Sequence, residues 1–538
     1  MLIQDTLERS ARLFPEKEGL VFNGLRLTYR QLHNRVLRLS IALVKLGVKK
    51  GDRVASLMDN THHYLEFFFA SFKIGATAVP INHRLSVSEI EFILKDSGAS
   101  ALFISENFLA TVEDIKSRNE GIKHFIFTGM DKPSWALEYE EILRSAQNDT
   151  LYQFASPEPA LSSETRLLRY ARNDKSEGAR NDRGVDENDT TVILYTSGTT
   201  GNPKGVMLTH RNLLSTTTSL LFSYPFFPQD RYCNQGPLFH IGSIISMLAA
   251  TVSGATHIFM DNAKPEATLE DIEREKVTMI MMAPTMLHRL TAHPDIKHRN
   301  LNTLRLIGYG GAPMPVTVLD RARQYFKCDF LGSYGTTETS GYLTILTPDD
   351  HNKENLLTSC GREVYGINLK VIDENGEDVK YGETGEIIVK TDGIMKGYLN
   401  KPDETAKVIK NGWFHTGDMA KRDEEGYIYI VDRKKDMIIT GGENVYSTEV
   451  ENILLTYKGI EESAVIGIPD EEWGEVVTAV VVPANGSHLN EDGIIEYCKK
   501  RLTHYKCPKR VIFKETLPKS SAGKILKREL KAASIGVR

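Results

Sequence analysis

The sequence predicts an α/β protein of two domains, a large multi-layer N-terminal domain followed by a small α+β C-terminal domain. Three observations lead there. The chain has 538 residues, more than one hydrophobic core usually serves, since domains commonly run to about 50–250 residues. Helix-period and strand-like segments alternate through roughly the first four hundred residues, the pattern of parallel strands with crossover helices. A dense charge cluster, Asp432–Asp436 (DRKKD), then precedes a final stretch with its own helix and strand patterns.

Taken in order, residues 28–47 place Leu32, Val36, Leu39, Leu43 and Leu46 on one helical face, with Thr28 as N-cap and Gly47 as the stop. Strand-like VASLM (54–58) follows, then a helix-like segment at 64–75 and strand-like ALFI (101–104) and HFIFT (124–128). Between 144 and 190 the pattern fails. That stretch is polar, aperiodic and holds the short runs AQND, ARND and ARND, which predicts a disordered surface insertion rather than a solenoid. Beyond the charge cluster, TEVENILLTY and EDGIIEYCKKRL read as helices, SAVIGIPD and EVVTAVVVP as strands. The expected domains are 1–434 and 435–538.

Composition excludes several classes. A formal net charge of -5 and 25% charged residues show no basic stripe, so nucleic acid is not expected as a partner. The five cysteines are scattered without CxxC spacing, which argues against a disulfide framework or a zinc site and fits a cytoplasmic protein. The N-terminus lacks an apolar signal-peptide core, and no window offers about 18 uninterrupted apolar residues, so no transmembrane segment is expected.

Four motifs could carry chemistry. YTSGTTGNPKG (Tyr195–Gly205) follows a β-branched strand. Its glycines let backbone amides approach an anion, Thr196, Ser197, Thr199 and Thr200 add hydroxyls, and Lys204 adds a positive charge. Its spacing is not that of the nucleotidase P-loop, and a plain Gly/Ser/Thr loop is the bland alternative. GSYGTTET (Gly332–Thr339) offers Tyr334 as a flat face for a base, Thr336 and Thr337 as hydroxyls, and Glu338 as a carboxylate suited to Mg2+. In the segment from Gly412, Asp418 could accept from a ribose diol and Arg433 could donate to ribose or phosphate, while His415 reads as structural. Near the end, Lys524 follows a Ser/Gly turn in SSAGKILKREL and, taken alone, is an ordinary solvated charge.

Standing in order along nearly the whole chain, YTSGTTGNPKG, SYGTTET, GWFHTGD, DRKKDMIITGGENVYSTEVE and PKSSAGKILKREL resemble the adenylate-forming superfamily of acyl-CoA synthetases, luciferases and nonribosomal peptide adenylation domains. The insertion at 144–190 departs from the family in length. The resemblance implies a small mobile lid hinged at Lys435 and places ATP on Thr196, Ser197, Gly198, Thr199, Thr200, Gly201 and Lys204. It further implies Gly310, Gly311, Ala312, Ser333, Tyr334, Gly335, Thr336 and Thr337 around adenine and acyl group, Thr196 and Glu338 at Mg2+, and Asp418 and Arg433 at ribose. Lys524 would bridge carboxylate and α-phosphate, and Gly442 would let pantetheine pass.

Such an enzyme makes an acyl adenylate and pyrophosphate from a carboxylic acid and ATP, then transfers the acyl group to a thiol. The segment GPLFHIGS lacks the aspartate by which amino-acid-activating relatives hold an ammonium group. His240, similar to a gate residue in acyl-CoA synthetases, and Ile241 instead suit an apolar acyl group, with a medium- or long-chain fatty acid first in order. The expected partners are therefore a carboxylic acid, ATP, Mg2+ and coenzyme A. A carrier-loading adenylation enzyme and a non-catalytic nucleotide-binding relative are the alternatives. Oligomeric state stays open, a homodimer included.

Overall fold

The computed structural model describes residues 2–147, 184–196, 203–260, 264–470, 472–519 and 525–534. The chain forms two compact units: residues 1–367 with 391–407, and residues 368–390 with 408–538.

In the first unit, two sheets carry the architecture. The nine-stranded one runs, edge to edge, through Arg362–Glu363, Thr344–Leu346, Asp329–Tyr334, Leu306–Gly310, Met279–Met282, Arg231–Asn234, Thr256–Phe259, Glu18–Phe22 and Leu25–Thr28. Its interior pairings are parallel and its edges antiparallel. Strand order turns back at Arg231–Asn234: the next strand in sequence, Thr256–Phe259, pairs on one side of it, and Met279–Met282 on the other. In open α/β sheets that reversal opens a crevice beyond the carboxyl ends of the strands.

The eight-stranded sheet is ordered Gly397–Tyr398, Lys204–Thr209, Thr190–Thr196, Thr77–Pro80, Arg53–Leu57, Ala99–Ile104, His124–Phe127 and Leu137–Glu138. Local sequence explains its helices. The helix Tyr29–Lys45 starts at a reciprocal capping box, in which the Thr28 hydroxyl accepts from the Gln31 amide and the Gln31 side chain accepts from the Thr28 amide. Leu32, Val36, Leu39 and Leu43 are buried, and Gly47 takes φ +86° just beyond the end. The strands expected at 54–58, 101–104 and 124–128 and the helix at 64–75 all form, within a residue or two of those bounds.

The second unit holds two five-stranded sheets. One orders Asn368–Ile372, Thr384–Lys390, Trp413–Arg422 and Ile409–Lys410, with Ile428–Arg433 also paired to Trp413–Arg422. The other orders Glu443–Val445, Ile438–Thr440, Gly474–Pro483 and Ile460–Asp470, with Arg510–Phe513 parallel to Gly474–Pro483. The helices Ser447–Leu454 and Glu491–Lys499 cover its core through Val450, Leu454, Ile494 and Cys498.

Residues 368–390 and 408–433 hydrogen-bond among themselves as one antiparallel sheet and group with the C-terminal residues, so a hinge at Lys435 would lie inside the second unit. One expectation changes. The insertion is shorter than read. Residues 144–147 finish the helix Tyr139–Gln147 with Ala146 fully buried, and Lys50 Nζ donates to the Gly184 carbonyl at 3.1 Å. Apolar spacing across Ile142, Leu143 and Ala146 continues the helix past the boundary read from composition. Residues 148–183, on which the expectation of disorder rested, lie outside the described residues. Among the described residues no helix is long and apolar enough to cross a membrane.

Candidate active site

The glycine-rich motif joins two antiparallel strands. Thr196 ends Thr190–Thr196, Lys204 begins Lys204–Thr209, and the two residues are cross-strand partners. Its hairpin setting differs from a P-loop, which leads from strand to helix, and explains the mismatch in spacing. Ser197, Gly198, Thr199, Thr200 and Gly201 lie outside the described residues, as does Lys524.

Lys204 is fixed from several sides. Its side chain is 11% exposed, its ammonium lies 2.7 Å from Glu404 Oε2, and the Tyr398 ring stands 5.1 Å below it. Glu404 in turn meets Lys407 at 2.5 Å, and hydrogen bonds from Lys204 and Lys407 pull its carboxyl down to about 2. The Tyr398 hydroxyl donates to Glu338 Oε1 at 2.9 Å, so one tyrosine joins the phosphate-candidate lysine to the metal-candidate carboxylate. Burial, and then the Glu338 charge, push the Tyr398 phenol well above its usual range and keep it a donor.

Tyr398 and Glu404 escaped the sequence reading. Their segment, KGYLNKPDET, shows only a Gly–Tyr between turn residues, and its proximity to Lys204 arises from the antiparallel pairing of Gly397–Tyr398 with Val206 and Met207.

Glu338 sits in a 3-10 turn, Thr337–Thr339, just beyond the strand that ends at Tyr334. Its carbonyl accepts from the Met395 amide at 2.7 Å, and the turn is closed by the Thr336 and Thr339 hydroxyls. Gly335 is obligatory: a Cβ there would lie 1.2 Å from the Gly341 carbonyl oxygen. Gly310 and Ser333 are register partners on adjacent parallel strands, and a Cβ on Gly310 would stand 2.5 Å from Ser333 Oγ. The exposed Gly311, at φ +79°, and Ala312 follow. Gly310, Gly311, Ser333 and Tyr334 thus share the carboxyl end of the nine-stranded sheet.

His240 follows the strand at which order reverses and caps the helix Ile241–Ser253 through its backbone. The imidazole is largely buried, its Nε2 has no hydrogen-bond partner among the described residues, and burial with the nearby Arg84 charge lowers its pKa to about 4. A neutral ring is the result. It meets Phe239 edge-on at 4.7 Å, and Phe239 meets His83, which stacks on Phe108. The first turn of the same helix borders the Glu338 turn, since a Cβ on Gly341 would lie 3.7 Å from Ile241.

In the second unit, Asp418 and Arg433 are cross-strand partners, and Arg433 Nε lies 3.1 Å from Asp418 Oδ1. Asp418 is buried and Arg433 half-exposed, so a buried acceptor stands beside a reachable donor. His415 lies 3.7 Å from Glu386, in keeping with a structural role. Lys435 follows at the end of that sheet, its ammonium pKa lowered chiefly by burial. Gly441 and Gly442, at φ +59° and +84°, form the two-residue turn between Ile438–Thr440 and Glu443–Val445. Both angles positive is the geometry of a type I′ hairpin.

Glu338 and Thr196 offer a carboxylate and a hydroxyl, hard oxygen donors of the kind Mg2+ takes in small number alongside substrate phosphates. The donor set fits that ion. Three or more His, Cys, Asp or Glu side chains able to hold a metal without a phosphate do not gather anywhere among the described residues.

Comparison with known proteins identifies the family. The AMP-binding enzyme family matches residues 7–399, and the AMP-binding enzyme C-terminal domain matches residues 449–524. A feruloyl-CoA synthase of an Amycolatopsis species is 38% identical over 97% of each chain. An indoleacetate–CoA ligase of Aromatoleum aromaticum is 33% identical over 99% of this chain and 98% of its own. Among solved structures, a Mycobacterium tuberculosis fatty acyl CoA synthetase superposes with TM-score 0.74 at 32% identity, covering 99% of this chain and 98% of that one. The o-succinylbenzoate coenzyme A synthetase of Bacillus subtilis, in complex with ATP and magnesium ion, superposes with TM-score 0.80 at 29% identity, covering 98% and 99%. With two domains matched in order and relatives alike across nearly their full length, the chain belongs to the adenylate-forming AMP-binding enzymes and is of the acyl-CoA synthetase kind.

Proposed function

We propose that the protein is an ATP-dependent acid:CoA ligase that converts a carboxylic acid to acyl-AMP and pyrophosphate, then to acyl-CoA and AMP. The observation that carries this reading is the linkage of Lys204 to Glu338 through Tyr398, which readies a phosphate cation and a metal carboxylate as one assembly. In the first step a carboxylate oxygen attacks the α-phosphorus and the bond to pyrophosphate breaks. Lys204 would hold the departing phosphates, Thr196 and Glu338 would hold Mg2+, and Asp418 with Arg433 would orient the ribose. Mg2+ supplies Lewis-acid stabilisation of the phosphate charge. Lys524 stabilises the approaching carboxylate and the α-phosphate. In the second step a thiolate attacks the acyl carbon, AMP leaves, and rotation about Lys435 brings Gly442 to the pantetheine path. His240, neutral at working pH, separates acyl group from thiol without adding charge.

The acyl group is apolar, and the run from Leu238 to Ile245 supports a medium- or long-chain fatty acid. A second reading, an aryl or arylalkenoic acid, has its own support in the ring series Phe108, His83, Phe239 and His240 and in the relative named a feruloyl-CoA synthase. A pyrophosphate-release screen over fatty, aromatic and branched acids, with and without CoA, decides between them. Release with fatty acids and CoA-dependent thioester formation support the first reading. Turnover confined to aryl acids replaces it with the second, and adenylation without CoA transfer points to a carrier protein as acceptor.

A further inference from the structure

Four side chains of the second unit form a buried ionic relay that no step above uses. Asp432, 4% exposed, lies in the strand Ile428–Arg433, and its Oδ2 accepts from the Ser447 amide and, at 2.7 Å, from the Ser447 hydroxyl. Ser447 opens the helix Ser447–Leu454, whose preceding residue gives no side-chain cap, so the cap comes from another element. Lys527, first residue of the helix Lys527–Ser534, donates to Ser447 Oγ and pairs with Glu451 Oε1 at 2.7 Å. The same Glu451 oxygen accepts from the Val465 amide at 2.7 Å. The Lys527 and Glu451 side chains are 16% and 15% exposed.

Asp432 precedes Lys435 in the chain; Ser447, Glu451 and Lys527 follow it. The last three belong to one packed body, since Val450 and Leu454 bury with Val465 and Val477, and Leu530 buries with Ala464 and Ile466. A backbone rotation at residue 435 carries that body and leaves Asp432 behind. The bonds to Asp432 must therefore break, while the Lys527–Glu451 pair travels intact.

We infer that the Asp432–Ser447–Lys527–Glu451 relay is a latch on lid rotation, and that Lys527 is a positioning residue for the half-reaction in which the latch is closed. The inference rests on the ligase reading and its hinge at Lys435. Closed, the relay couples the helix that begins three residues after Lys524 to the strand that carries Arg433, itself paired with Asp418. Lys524 stands three residues before Lys527 in the chain and Arg433 follows Asp432 directly, so we assign the closed relay to adenylation. Thioester formation requires its release.

Asp432→Asn keeps the shape and an acceptor but removes the charge. The expected result is about a tenfold fall in acyl-adenylate formation relative to thioester formation from supplied acyl-AMP, the scale of one charge-assisted hydrogen bond. Lys527→Gln should shift the same ratio, and Lys527→Arg should restore it. Equal change in both half-reactions, or none, overturns the latch. Amide exchange on the full chain without substrate reads it independently. Peptides spanning 447–454 should exchange faster in Asp432→Asn, and unchanged exchange also overturns the proposal. Absence of adenylation by the wild type with every acid overturns the ligase reading alone, because the exchange experiment needs no acid.

Discussion

Tyr398 separates two effects within one side chain: its ring faces the Lys204 ammonium, and its hydroxyl orients Glu338. Tyr398→Phe keeps the ring and removes only the hydroxyl. Hydrogen bonds to charged groups contribute about 1.5–3 kcal/mol, so KM for MgATP should rise about tenfold with KM for the acid unchanged, measured by initial rates at varied Mg2+. A rise in both constants would mean the substitution disturbs the whole crevice. The sequence exposed Lys204 and Glu338 because glycine and threonine crowd around them, but their link lay hidden, because Tyr398 reaches them through strand pairing. Asp418 and Arg433 were each legible as candidates for a ribose. Their direct pairing depends on a register shift between Met419 and Ala420, which no residue type announces.

Among the elements, the hairpin at Gly441–Gly442 carries two demands in the same turn. Positive φ at both positions costs a non-glycine residue about 1–2 kcal/mol, with asparagine the best tolerated. A Cβ at Gly442 meets nothing within 4 Å, so added bulk harms the fold little beyond that strain. Gly442→Leu should therefore slow thioester formation while leaving adenylation near normal, and Gly442→Asn should retain much of both; half-reaction assays on the two variants check this. Normal overall turnover by Gly442→Leu would remove the pantetheine path from this turn. Helix and strand identity was largely legible, as Thr28, Gln31 and the spacing from Leu32 to Leu43 illustrate. Boundaries were less so, because polarity past residue 144 concealed Ala146, which tertiary burial keeps helical.

At the scale of the molecule, His62, His210 and His257 are buried and His33 and His240 largely so, and desolvation lowers their folded pKa values to about 3–4 from 6.5. The unfolded chain therefore binds protons first as pH falls below about 6.5. Stability is unaffected by these groups above that pH, declines as pH falls from about 6.5 to about 4 for His33, His210 and His240 and to about 3 for His62 and His257, and levels off once the folded forms titrate. Each histidine contributes a slope of about 1.4 kcal/mol per pH unit within its window. The expected outcome is a Tm that falls steeply from pH 6.5 to pH 4.5 in differential scanning calorimetry. A flat Tm over that range would mean the buried rings protonate without unfolding. The division into units was the least legible feature at this scale: a charge cluster marks a connection, but only the packed chain shows that the sheet before it groups with the residues after it.

The pairing of Lys204 with Glu404 bears on how a highly charged nucleotide gains entry. Around Tyr398, the Lys204 ammonium is paired with Glu404, which also meets Lys407, while Glu338 accepts from the Tyr398 hydroxyl. Such a surface offers a bare tetra-anion little attraction. On the ligase reading, magnesium would act as a counterion that makes the nucleotide acceptable as well as a Lewis acid, and nucleotide without metal should be excluded at the binding stage before any chemistry begins.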